Sequence, residues 1–149
     1  MDPLALVLTF AAGLILGAAL VWVVLRGHAA QAAQAARRAF ADGLRERSAD
    51  AESVYKAEVV FGELVGNAVR YAPGPVEVTV DWTGVMPVLH VLDRGPGFHH
   101  VPALPRDVYS ESGRGLFIIS LLSKDFSVAK RPTGGSHARA LLGLSSRAF

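Results

Sequence analysis

The chain has 149 residues, with 15 basic and 13 acidic side chains, a net charge of +2 and no cysteine. That length holds one domain and at most a short appendage. Without cysteine there are no disulfides or thiolate metal sites, and so mild a charge, with no basic stripe interleaved with aromatics, excludes a nucleic-acid footprint.

The mean hydropathy, +0.33, is high for a soluble domain. The excess lies at the amino terminus, where Leu4 to Leu25 contains no charged residue. As a helix this stretch extends about 33 Å, against a hydrocarbon core of about 30 Å, so a transmembrane anchor is expected over residues 1–26. Its start, Met1-Asp2-Pro3, lacks the basic flank of a signal peptide. Only Asp2 precedes the span, whereas Arg26, Arg37, Arg38, Arg45 and Arg47 follow it. The positive-inside rule then puts the body of the chain in the cytoplasm, as a single-pass protein of the cytoplasmic membrane. Gly13 and Gly17, spaced G-x-x-x-G, permit helix pairing in lipid and with it a homodimer.

Residues 27–47, rich in Ala, Gln and Arg, read as a helix continuing out of the membrane. Residues 27–35 form its juxtamembrane part, and a folded domain is expected over 36–149. A second helix fits Asp50 to Ala72, capped by Ser48 or Asp50 and stopped by Pro73-Gly74-Pro75. Val76 to Trp82 alternates and is rich in valine, which predicts a strand with one buried face. Met86 to Leu92 is a second strand, reached through a turn at Thr83-Gly84. An irregular stretch with two prolines follows, then an apolar helix over Gly113 to Leu122. Phe126–Ala129 and Ser136–Leu144 form a last strand pair, joined by a turn holding Pro132, Gly134 and Gly135. This order predicts an α+β fold, a two-layer sandwich with helices on one face of a mostly antiparallel mixed sheet.

Some polar residues and glycines have no place in that plan. Glu63 and Asn67 lie four apart, on one helix face among Leu64, Val65, Ala68 and Val69. A mid-helix Asn at the edge of a core needs partners, and the pair suits a metal or a water. Gly113 and Gly115 open an apolar helix, where bare N–H groups and the helix dipole favour an anion. The segment Asp93-Arg94-Gly95-Pro96-Gly97-Phe98 ends a strand with more glycine than a turn requires. His99 and His100, neighbours in an extended loop, point apart and make no metal pair; His28, His90 and His137 have no partner at ligand spacing and read as incidental.

The ordered set ELVGNAVRYA, DRGPGF, GRGL and GGS before a final strand resembles the ATP-binding domain of the GHKL superfamily, the Bergerat fold of histidine kinases, gyrase B and Hsp90. Glu four residues before Asn, NAVRYA, and the compact DRGPGF and GRGLFIIS segments look most like the anti-sigma factor serine kinases of the RsbW and SpoIIAB type. The likeness covers about residues 36 to 144. It implies ATP and Mg²⁺ as cofactors. By this resemblance Asp93 accepts a hydrogen bond from the adenine amino group, while Gly95 and Gly97 stay bare so that the base can lie flat. Asn67 holds Mg²⁺ through its amide oxygen. Glu63 orients or deprotonates the attacking hydroxyl. Gly113, Arg114 and Gly115 close over the phosphates, with Leu116 beside them and Arg114 supplying positive charge. Ser136, where the family often has Thr, reaches the adenine edge, and Phe98 to Ser112 form the lid.

Two features depart from the family pattern. Glu111 stands where some of these kinases carry a basic residue, and the family's opening strand has no evident counterpart, its place being taken by the span and the Ala-rich helix. The function implied is a membrane-tethered serine/threonine kinase that binds a sigma factor or similar regulator and phosphorylates an antagonist of the STAS type. The catalytic half of a histidine kinase system and an ATP-gated binding module without catalysis are the alternatives.

Overall fold

The computed structural model describes residues 20–24, 29–47, 50–72, 74–97 and 114–144. In chain order these form β1 (Leu20–Val24), α1 (Ala29–Arg47), α2 (Ala51–Tyr71), β2 (Val76–Asp81), β3 (Val88–Leu92), α3 (Arg114–Leu122), β4 (Asp125–Lys130) and β5 (Ser136–Leu141). The strands make one sheet in the order β1-β2-β3-β5-β4. All four pairings are antiparallel, so among the described residues the sheet is not mixed as expected. The α+β, two-layer expectation otherwise holds.

The first strand is a correction. Leu20–Val24, expected as the end of a transmembrane helix, pair with β2 in a register running from Leu20↔Val80 to Val24↔Val76. An apolar run does not distinguish strand from helix by periodicity. Here a β-branched, aromatic stretch meets the free edge of β2, whose N–H and C=O groups need a ladder partner. A strand therefore does precede the first helix. Residues 1–19 of the expected span lie outside the described residues, and no helix among those described is long and apolar enough to cross a membrane.

Helix α2 obeys its punctuation. Asp50, not Ser48, takes the N-cap position: it sits in the extended region and its carboxylate accepts from the Glu52 N–H at 3.1 Å. The Ser53 hydroxyl donates to the same carboxylate and lowers its pKa. At the other end Ala72, which precedes Pro73, is extended, with its N–H bonded to the Ala68 carbonyl.

The core lies between the helices and one face of the sheet. Val76, Val78 and Val80 of β2, Leu89 and Val91 of β3, and Ala138 and Ala140 of β5 point into it at alternate positions. Phe40 of α1 stacks on Phe61 of α2 with ring centroids 4.5 Å apart, and both are buried. Residues 29–35, expected to be juxtamembrane, are the first turns of α1, and Ala33 among them packs against this core.

Candidate functional site

A cavity of about 340 Å³ opens between α2, α3 and the ends of β3 and β5. Each wall follows from a local sequence choice. Helix α2 presents Glu63 and Asn67, one turn apart, while Asp93 follows the last residue of β3 and Ser136 begins β5. The start of α3 contributes Gly115 and Leu116. Of the expected site residues, Glu63, Asn67, Asp93, Gly95, Gly97, Gly115, Leu116 and Ser136 all line this one space. Arg114 does not line it; it is the exposed first residue of α3. Gly113, Glu111, His99, His100 and the expected lid lie outside the described residues.

Asp93 organises one end of the cavity. It is only 7% exposed, and its Oδ1 accepts from the N–H of Gly95 at 2.8 Å and of Ser136 at 3.2 Å. Its own N–H donates to the Ser136 carbonyl at 3.0 Å. Oδ2 has no hydrogen-bond partner among the described residues, which leaves an oriented acceptor in a cavity wall. Beside it the Ser136 hydroxyl, in a residue 1% exposed, is buried without a partner among the described residues. A buried polar atom left unsatisfied is a cost that a ligand atom would remove.

The glycines serve the protein's own close approaches as well as the cavity. A Cβ on Gly95 would lie 3.0 Å from the Ala72 Cβ and 3.2 Å from Asp93 Oδ1. Gly97 has φ +73°, and a Cβ there would meet the Lys130 side chain at 3.1 Å. Both glycines line the cavity, and a side chain at either would also press on Ala72, Asp93 or the β4–β5 hairpin. That hairpin carries a glycine whose importance the sequence does not announce. Gly135 has φ +91°, and any Cβ on it would collide with the Asp93 carbonyl.

The opposite end is built from helices. A Cβ on Gly115 would collide with the Glu63 carboxylate and lie 3.5 Å from Asn67 Nδ2. Glu63 thus points at the first turn of α3, the end of the helix whose dipole attracts negative charge. Arg70 and Tyr71, the last residues of α2, also line the cavity, with the Arg70 guanidinium 5.8 Å from the Tyr71 ring centroid. Sequence reasoning assigned them no role, although both stand within the quoted NAVRYA segment.

His90 and His137, which no ligand spacing links in the sequence, meet on the face of the sheet opposite the cavity, with His90 Nδ1 2.8 Å from His137 Nε2 and ring centroids 5.1 Å apart, and join no metal-ligating cluster among the described residues. The antiparallel register, which sets Leu92 opposite His137, brings them together across 47 residues of sequence. Burial pushes both imidazoles below their usual pKa; the neighbouring His137 adds to the effect on His90, and Arg131 adds to that on His137.

The slot of this layered α+β fold has an oriented carboxylate at one end and a helix N-terminus at the other, features that suit a nucleotide. The chain belongs to the histidine kinase-like ATPase domain family, whose model it matches over residues 26–139. No curated protein matches it. Membership points to ATP as the ligand, and the residues present fit. Asp93 Oδ2 suits an amino group, and the Ser136 hydroxyl is buried with no polar partner among the described residues. Asn67 offers a hard amide oxygen for Mg²⁺. Among the described residues no cluster of three or more His, Cys, Asp or Glu side chains could hold a metal ion; Asn67 is the residue that would hold Mg²⁺.

Proposed function

We propose that the chain is an ATP-dependent protein serine/threonine kinase of the anti-sigma factor type, acting on a STAS-like antagonist and binding a sigma factor or similar regulator. The observation that carries this reading is the Glu63 carboxylate, held one helical turn from Asn67 and aimed at the start of α3. A carboxylate there can take the proton of an incoming hydroxyl as it attacks the terminal phosphate. Mg²⁺, when bound, would offset the charge that develops on the phosphate oxygens. The test is phosphate transfer from labelled ATP to candidate partners. Transfer to a serine or threonine supports the reading; tight ATP binding with no transfer to any partner favours a nucleotide-gated binding module. The position of Arg114, outside the cavity lining, speaks for that second reading.

Membrane attachment belongs to the same proposal, with a condition. With Leu20–Val24 in the sheet, Leu4 to Ala19 would extend only about 24 Å as a helix, short of a hydrocarbon core. A full span over Leu4–Leu25 requires β1 to leave β2. Removing residues 1–19 therefore keeps the sheet whole and should move the chain from the membrane fraction to the soluble one; an unchanged distribution would remove the anchor.

A further inference from the structure

Asp93 is held at its nitrogen and its carboxylate by backbone groups of the site itself. Its carbonyl oxygen is held differently. β3 ends at Leu92, so the Asp93–Arg94 peptide lies just past the strand, where regular pairing no longer fixes its orientation. The Asp93 oxygen accepts instead from Arg131 Nη1, 3.2 Å away, across 38 residues of sequence. Arg131 is itself fixed before its side chain reaches out. Its N–H donates to the Gly135 carbonyl at 3.0 Å, and its carbonyl accepts from the Gly134 N–H at 3.1 Å. Gly135 presses on the same Asp93 carbonyl from the hairpin, at a contact with no room for a Cβ. A charged donor on a pre-set backbone and a bare Cα thus hold one peptide plane between them.

We propose that Arg131 is a positioning residue for purine recognition: it locks the Asp93 peptide so that the carboxylate presents Oδ2 to a 6-amino group. The proposal rests on the reading of Asp93 as the adenine acceptor. Without Arg131 the carbonyl loses its charged donor beside a buried glycine, and the peptide is free to rotate. Rotation of that peptide carries Arg94 and the Gly95 N–H with it, so the carboxylate loses one of the two N–H groups that aim it and can turn on the Ser136 N–H that remains. The loss falls on discrimination. An aimed carboxylate accepts from the amino group of adenine and repels the carbonyl oxygen of guanine, whereas an unaimed one does neither well.

The full chain and its Arg131→Ala and Arg131→Lys variants are titrated calorimetrically with ATP and with GTP, and amide hydrogen exchange is followed without nucleotide. The expected result for Arg131→Ala is roughly a tenfold loss in ATP affinity, as for a lost charge-assisted hydrogen bond, with GTP affinity unchanged. The preference for ATP collapses accordingly. Exchange should accelerate at the Gly95 and Ser136 amides while the β2–β3 amides stay as slow as in the parent. Lys, which keeps a charged donor on a shorter and unforked side chain, should recover part of both effects. Equal losses for ATP and GTP, or unchanged exchange at Gly95 and Ser136, would overturn the proposal and leave Arg131 a hairpin fixture. A parent chain with no preference for ATP would instead overturn the adenine role of Asp93; accelerated exchange in Arg131→Ala would then still support the locking of that residue.

Discussion

The two ends of the cavity are built by different means. At the Asp93 end, backbone does the work: Gly95 and Ser136 N–H groups aim a carboxylate, and the β4–β5 hairpin holds its peptide through Gly135 and Arg131. Asp93, Gly95, Gly135 and Ser136 are all buried there. At the Glu63 end, side chains from α2 face the first turn of α3, and Glu63, Asn67, Gly115 and Leu116 all keep partial exposure. A recognition end benefits from fixed donors and acceptors, because selectivity falls when an acceptor can turn. Under the proposed function the Glu63 end receives the phosphates and a second reactant, a task that suits partly exposed groups carried on helices.

The largest expected effect is at the open end. Glu63→Ala should leave ATP affinity nearly intact and slow phosphate transfer by about 100-fold or more at saturating Mg-ATP, because a general base acts only on the way to the transition state. A variant that transfers as fast as the parent removes Glu63 from the chemistry and reduces the contrast to one of shape.

Next comes the closed end, where Gly135→Ala should destabilise the fold. The positive φ alone contributes strain on the order of 1–3 kcal/mol, and the Cβ collides with the Asp93 carbonyl besides. Denaturant unfolding together with nucleotide titration should show both stability and ATP affinity reduced. Parent-like values for both would mean that the hairpin does not brace Asp93.

Asn67→Ala should act more narrowly. Loss of one oxygen donor is expected to weaken Mg-ATP binding severalfold while barely changing metal-free ATP, read as the ratio of the two dissociation constants. An equal effect on both would place Asn67 at the nucleotide and not at the metal.

The smallest effect concerns the back of the sheet. His90 and His137 bind protons less readily folded than unfolded, so the unfolded chain takes up more protons as the pH drops. Their contribution to stability is complete well above the usual imidazole pKa of about 6.5 and is lost as the pH falls below it. Asp81 opposes the shift at His90 and Arg139 reinforces it at both rings, so the net slope should be small. Urea midpoints for the parent should decline between pH 7.5 and 5.5, and less steeply for His90→Gln. Equal slopes would mean that the pair does not feel folding.

What could be read from residues alone follows the same division. Helix α2 was legible because its signals are local: Asp50 before it, Pro73 after it, and Glu63 and Asn67 on one face at a spacing of four. The alternation of β2 was equally plain. Helix α1 was legible as a helix, and its residues from Ala36 on as part of the folded domain, but not how early its packing begins: Ala33 already lies against the core ahead of Ala36, Phe40, Ala41 and Leu44. The strand β1 was not legible, because a long apolar run fits a helix as well, and only the edge of β2 decides for a strand. The closed end depended most on distant partners. Nothing near Gly135 or Arg131 indicates that they meet Asp93, and nothing near His90 indicates His137. Such contacts come from the register of β3 against β5, which no window of sequence contains.

Binding of ATP through Asp93 is the claim on which the rest depends, and calorimetric titration of the Asp93→Asn chain beside its parent tests it most directly. The amide oxygen can still accept from Gly95 and Ser136, so the local fold is preserved while an NH₂ group replaces Oδ2 and faces the adenine amino group, donor against donor. The expected result is a parent that binds ATP and a folded variant weaker by about tenfold or more. Equal ATP affinity in the two chains would contradict it.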